Sequence, residues 1–412
     1  MTAWLKMAFR NIFRNKRRSL VTLLAISLGF CAVSLFKGYT DHTYQGLRQA
    51  AIRGEGLGHL VVYKKGFNAF GTLEPEKYLL SKDEIKKISK LSLKDKRVVL
   101  ATPQLHISGL VSDGRISRIF LGKGVVPEDE RTIRGGMAAM YPITGKAMTQ
   151  RVPYGVLLSQ GLARQLKFKP GSEGVVMAAT FEGQMNALDF LVRGLFDTGQ
   201  DATNDKYIRV PFSYAQSLYD TDQADRMVIL LENWQQTEAV RHELLAAFEK
   251  AGLNLEMRTW HDLSVFFKKV KGMFDSMFLF IFIIVFVVVV MSVINTMGMA
   301  VMERTREIGA LRSLGLKKRG VSLLFALEGG LLGIMGSVLG IFITVFIWGL
   351  ILFWEPTYIP PGISSPVPLL VNLLPIPMLR FSCIMIFLSL LASIIPARRA
   401  ARQKVVEALG HV

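Results

Sequence analysis

The sequence predicts a membrane α-helical protein: four transmembrane helices, with a large α+β domain inserted between helices 1 and 2. Three observations predict it. Residues 20–36, 273–301, 321–353 and 378–396 are apolar runs, each long enough to cross a bilayer as a helix. The long stretch between the first two runs, residues 37–272, has no such run and alternates strand-like with helix-like segments. The chain is basic, at +18, and most of that charge lies beside the apolar runs.

In chain order, residues 1–19 read as a cytoplasmic amphipathic helix on the membrane surface. Leu5, Phe9, Ile12 and Phe13 share one face, and Lys6, Arg10, Arg14 and Arg17 share another. The first span, 20–36, differs from a signal peptide in lacking a small-x-small cleavage site after it. In the soluble domain, strands are expected at His59–Tyr63, Val98–Thr102, Ile116–Leu121, Gly174–Ala179, Phe190–Gly194, Tyr207–Val210 and Met227–Leu231. Helices are expected at Ser81–Leu91, Ser159–Gln165, Ser213–Tyr219 and Gln236–Ala251. A domain of this length suits one lobe or two.

The second span, 273–301, leads to a short charged stretch, 302–320, and then to the third span, 321–353. Gly329-xxx-Gly333 and Gly336-xxx-Gly340 in that span are small-xxx-small pairs, expected to let helices of the same chain approach closely. Glu328 is a carboxylate inside an apolar run. Such a group is costly unless it faces protein or water, so a structural role is expected. Residues 354–377 form a loop that holds seven of the fifteen prolines and no Lys or Arg. The fourth span, 378–396, ends in the basic tail 397–412. Lys and Arg collect at the ends of the chain and in 302–320, so these are expected in the cytoplasm. Both termini are then inside, with the large domain and the proline-rich loop outside.

Sixteen Lys and Arg fall in the three segments flanking apolar runs, against only Glu303, Glu307 and Glu407. Basic charge so placed argues for a membrane topology signal and against a nucleic-acid partner. The two cysteines, Cys31 and Cys383, lie in apolar runs and give no disulfide framework. No phosphate-binding GxxxxGK[ST] loop is present; Gly145-Lys146 is followed by Ala147 and lacks the earlier glycine. The six histidines show no metal-ligand spacing, and no GxSxG elbow is present. No catalytic residue, cofactor or metal is therefore expected in this chain.

The chain is organised around Met302-Glu-Arg-Thr-Arg-Glu-Ile-Gly-Ala-Leu-Arg-Ser-Leu-Gly315. Ile308, Leu311 and Leu314 recur at i, i+3, i+6 and give a helix one apolar face. Glu303, Arg304, Arg306, Glu307 and Arg312 occupy the rest, and Gly315 is the expected C-terminal stop. The pattern fits either a topology anchor or a docking helix for a cytoplasmic partner.

This stretch, in its setting of one span, a large outside domain and three further spans, resembles the permease family of macrolide exporters (MacB), lipoprotein-releasing permeases (LolC and LolE) and division-associated permeases (FtsX). Tyr154-Gly-Val-Leu-Leu-Ser-Gln-Gly-Leu-Ala-Arg-Gln-Leu166, Lys169-Pro-Gly171, Phe190-Leu-Val-Arg-Gly-Leu-Phe196, Val210-Pro-Phe-Ser-Tyr-Ala-Gln216 and Arg258-Thr-Trp260 are similar to its periplasmic core. Ala8-Phe-Arg-Asn-Ile-Phe-Arg-Asn-Lys-Arg-Arg18 and Pro396-Ala-Arg-Arg-Ala400 fit as well. Gly58-His-Leu-Val-Val-Tyr-Lys-Lys-Gly-Phe67 and the domain's length look closest to the lipoprotein-releasing branch.

The resemblance implies a non-catalytic ABC-transporter permease in the bacterial inner membrane. It implies a dimer with a second copy or a paralogue, and a separate cytoplasmic ATPase that binds the ATP and Mg. ATP-driven closure would pass through the spans to the periplasmic domains. The coupling residues would be Glu303, Arg304, Arg306, Glu307, Ile308, Leu311 and Arg312. Cargo would be a lipoprotein or other lipid-linked molecule drawn from membrane lipid and passed to a periplasmic carrier. The alternatives are an efflux component working with an adaptor and outer-membrane channel, and a regulator of a periplasmic enzyme.

Overall fold

A computed structural model describes residues 2–14, 16–71, 73–135, 144–360 and 366–402, with the backbone alone for 2–5. Lys404 and Glu407 of the basic tail lie outside the described residues. The chain divides into two compact units. One comprises Met1–Tyr44, Val270–Thr357 and Pro368–Val412; the other comprises Gln45–Lys269 and Tyr358–Val367.

The first unit is helical. A surface helix, Thr2–Arg14, precedes four long apolar helices: Lys16–Gln49, Val265–Glu303, Lys318–Trp354 and Pro375–Arg402. All four are long and apolar enough to cross a membrane. A short connecting helix, Thr305–Ser313, joins the second to the third. The glycines of the third helix explain its close packing. A Cβ at Gly329 would lie 2.5 Å from Ser393 Cβ, and one at Gly333 would lie 2.9 Å from Ile386 Cα, both on the fourth helix. A Cβ at Gly336 would strike Ile26, and one at Gly340 would strike Phe30, on the first helix. The two small-xxx-small pairs thus serve two neighbours within one chain, as the sequence suggested. Thr22 and Thr296 hydroxyls, 2.6 Å apart, tie the first helix to the second. The second helix leaves Phe280, Ile283, Val287 and Met291 exposed, a surface suited to lipid or to another apolar chain.

The second unit is α+β. Among the described residues its main sheet has ten strands: β1 (Leu60–Lys64), β2 (Val98–Ser112), β3 (Ser117–Val125), β4 (Thr144–Gly145), β5 (Gly155–Ser159), β6 (Glu173–Ala179), β7 (Met185–Phe196), β8 (Tyr207–Pro211), β9 (Arg226–Leu231) and β10 (Leu255–Thr259). They form one mixed sheet, with β3–β8 and β5–β7 parallel and the other pairs antiparallel. Strand β6 pairs with both β2 and β7, so β2, β3, β8, β5, β7 and β6 close into a ring. Closure removes exposed edges and encloses a core of Leu105, Phe120, Val156, Phe190, Ile208 and neighbours.

A second core lies where β2 leaves the ring. Its first half pairs with β9, which pairs with β1, which pairs with β10. Helices Lys82–Ser92 and Thr237–Lys250 cover this sheet through Ile88, Val240, Leu244 and Phe248. The domain therefore has two lobes sharing one long strand. They divide near Gln104, where pairing with β9 ends and pairing with β3 begins. The chain enters at the start of β1 and leaves at the end of β10, and Leu60 opposes Thr259 in the register. A capping box, in which Thr259 and Asp262 bond reciprocally, starts the exit turn.

Candidate coupling site

The segment Met302–Gly315 is not one helix. The second apolar helix ends at Glu303, and Arg304 breaks the helical path with φ −109° and ψ 17°. The connecting helix then runs only from Thr305 to Ser313. Thr305 Oγ1 donates back to the carbonyls of Val301 and Met302, 3.0 Å each, across the break. The far end closes with two bonds: Leu316 N–H to Leu311 O and Gly315 N–H to Arg312 O, both 3.1 Å. This is a Schellman arrangement, and Gly315 takes the left-handed φ of +97° that it requires.

The seven candidate residues divide by burial. Arg304 and Ile308 are buried within the helical unit, and Leu311 and Arg312 are half-buried. Glu303, Arg306 and Glu307 are exposed. The expected apolar face ends early. Leu314 lies past the last helical residue and is 85% exposed, so it does not continue the Ile308–Leu311 stripe.

Arg304 carries the strongest interactions. Its Nη1 donates to Glu328 Oε1 at 2.9 Å, and its Nη2 donates to Asn11 O at 3.2 Å. Asn11 Nδ2 also donates to Glu328 Oε1, at 2.6 Å. Three elements distant in sequence, the surface helix, the helix break and the third apolar helix, thus meet on one carboxylate. A small cavity beside this pair is lined by Ile12, Ser19, Thr296, Met297 and Leu332. Glu328 is 2% exposed and Arg304 is 6% exposed. Removing one partner of such a pair costs about 3–5 kcal/mol, because a buried charge is left alone.

Two exposed pairs reinforce the same junction. Arg14 Nη1 lies 2.8 Å from Glu307 Oε1, and Arg18 pairs with Glu303. Exposed pairs contribute about 0–1 kcal/mol each, so the Arg304–Glu328 pair dominates. Asn11 and Glu328 were not among the candidate coupling residues. The only sequence signals were a carboxylate within an apolar run and an arginine close to the next helix.

The outward side of the junction carries Met302, Arg306, Ala310, Ser313 and Leu314, with Lys317, Lys318 and Arg319 following. This surface is cationic with two protruding apolar side chains. It can receive a groove that offers acidic groups around an apolar floor. Among the described residues, no group of three or more His, Cys, Asp or Glu side chains could hold a metal.

Residues 19–247 match the family described as MacB-like periplasmic core domain, and residues 279–405 match that described as FtsX-like permease C-terminal. The chain is 25% identical to the lipoprotein-releasing system transmembrane protein LolC of Neisseria meningitidis serogroup B, over 77% of this chain and 79% of that protein. It is 20% identical to an uncharacterized ABC transporter permease of Methanocaldococcus jannaschii, over 82% of each chain. Among solved structures, the periplasmic region of MacB from Actinobacillus actinomycetemcomitans aligns with 52% of this chain and 93% of its own length. That alignment has a TM-score of 0.35 and 13% identity.

Proposed function

This chain belongs to the ABC-transporter permease family that joins a MacB-like periplasmic core domain to an FtsX-like C-terminal region, and on that premise we propose that it couples a separate cytoplasmic ATPase to periplasmic movement that releases lipoproteins from the inner membrane. Both termini and the connecting helix face the cytoplasm in this reading, and the permease works as a dimer. ATP and Mg belong to the ATPase, and the permease transmits force.

The observation that carries the coupling role is the two-sided build of the 302–315 segment. Arg304 and Ile308 fasten it to the helical unit, while Met302, Arg306 and Leu314 stand exposed. A partner that grips the exposed side therefore moves the helices attached to the buried side. Lipoprotein as cargo is supported by the likeness to LolC over most of both chains.

The test is affinity capture of the full chain from its native membrane, followed by mass spectrometry, for wild type, Arg306→Glu and Leu314→Glu. Wild type is expected to bring down a transport ATPase, and each variant to lose most of it. Capture without any ATPase, or equal recovery by all three chains, would overturn the coupling assignment. Recovery of an adaptor and outer-membrane channel would replace lipoprotein release with efflux.

A further inference from the structure

The first apolar helix does not simply fade into a loop at its far end. It closes with a π-type turn, Ala50–Gly54, in which Glu55 N–H reaches Ala50 O at 2.8 Å. Leu57 N–H and Gly58 N–H then reach Ala51 O and Ile52 O, and β1 begins two residues later. Turns of this kind are rare and are frequently found at functional sites.

Three successive carbonyls, beginning with the last residue of that turn, are each taken by a buried side chain from a different strand. Arg209 Nη2 on β8 donates to Gly54 O at 3.3 Å. Lys123 Nζ on β3 donates to Glu55 O at 2.7 Å. Gln104 Nε2 on β2 donates to Gly56 O at 3.3 Å. Lys123 and Arg209 face each other in the β3–β8 register, and β2 is the next strand over. Lys123 is 1% exposed, Gln104 2% and Arg209 5%. Glu130 supplies a buried countercharge, its Oε1 lying 3.0 Å from Arg209 Nη1. Arg53, inside the π turn, donates to Ile133 O at 3.2 Å, on the helix Pro127–Arg134 that carries Glu130. Gly56 takes a left-handed φ of +73° that favours glycine, and a Cβ there would lie 2.5 Å from Lys123 Nζ.

Cations at a helix C-terminus are favourable. A surface lysine would supply that, however. Burying Lys123, Arg209 and Glu130 in a domain core costs desolvation that apolar residues of similar volume would avoid. We propose that Arg209, Lys123 and Gln104 form a clamp that fixes the end of the first apolar helix to three adjacent strands of the ring, so that helix movement is delivered into the periplasmic domain. They are positioning residues for force transmission, and the proposal rests on the coupling role given above.

Two variants test it in the full chain: Gln104→Leu, and Lys123→Met, which leaves the buried Arg209–Glu130 pair intact. In lipid nanodiscs, hydrogen exchange at the amides of residues 55–58 is expected to speed up about ten-fold or more, while β6 and β7 keep their protection. In the complex with its ATPase, lipoprotein released from spheroplasts per ATP hydrolysed is expected to fall about ten-fold, with hydrolysis itself within about two-fold of wild type. Unchanged exchange at 55–58, or unchanged release per ATP, overturns the clamp. If wild type releases no lipoprotein, the cargo reading fails and the exchange measurement alone decides the clamp.

Discussion

Glu328 accepts hydrogen bonds from partners 24 and 317 positions away in the chain. Glu328→Leu should cost about 3–5 kcal/mol by leaving Arg304 buried and unpaired. The double variant Arg304→Met with Glu328→Leu should recover much of that loss, which melting of the full chain in nanodiscs can measure. Additive losses would show that the pair does not act as a pair. His59 supplies a pH-dependent counterpart in the periplasmic domain. It is buried, and its Nδ1 accepts the Leu231 N–H at 3.0 Å, which requires an unprotonated nitrogen. Burial, with Arg53 and Arg48 nearby, lowers its pKa from 6.5 to about 4. The unfolded chain then binds more protons between those values, so stability falls as pH drops from 6.5 towards 4, by roughly 3 kcal/mol. Protection of the Leu231 amide should decline from pH 7 to pH 5, and unchanged protection would contradict the assignment. The sequence marked Glu328 as costly and Arg304 as part of a charged segment. Nothing in their spacing joined them to Asn11, because the pairing is purely tertiary.

At the scale of elements, glycine spacing was directly legible. Gly333→Ala should destabilise the helical unit by about 1–3 kcal/mol, since the new Cβ meets backbone at 2.9 Å. Gly349→Ala, with nothing within 4 Å, should be neutral or stabilising. Equal melting of the two variants would refute the close packing. The seven expected strands and four expected helices of the soluble domain all formed, because each has a clear alternation or a clear polar boundary. Strand β5 was missed as a strand: Gly155-Val-Leu-Leu-Ser159 is buried at every position and shows no alternation. Strand β2 was read as ending at Thr102, before Pro103. It continues to Ser112, because pairing with β3 starts only at Gln104 and one edge of the strand is open at the proline. Leu314 misled for the opposite reason. Its i+3 spacing continues past the point where Gly315 turns the chain out of the helix.

At the scale of the molecule, the four-helix layout and inserted domain were readable from apolar length and charge placement, both of which act without tertiary context. The closed ring of strands and the shared strand β2 were not, since they depend on which strands pair. The proposed role has the chain take force at the junction built on Arg304 and Glu328 and use it on lipid-anchored cargo. Its most direct test is lipoprotein release from spheroplasts or proteoliposomes holding the full chain with its captured ATPase. With soluble periplasmic extract supplied as acceptor, adding ATP should move a labelled lipoprotein into the soluble fraction, and Arg306→Glu should abolish that release. ATP hydrolysis at a normal rate, with every lipoprotein left in the membrane, would contradict the central claim.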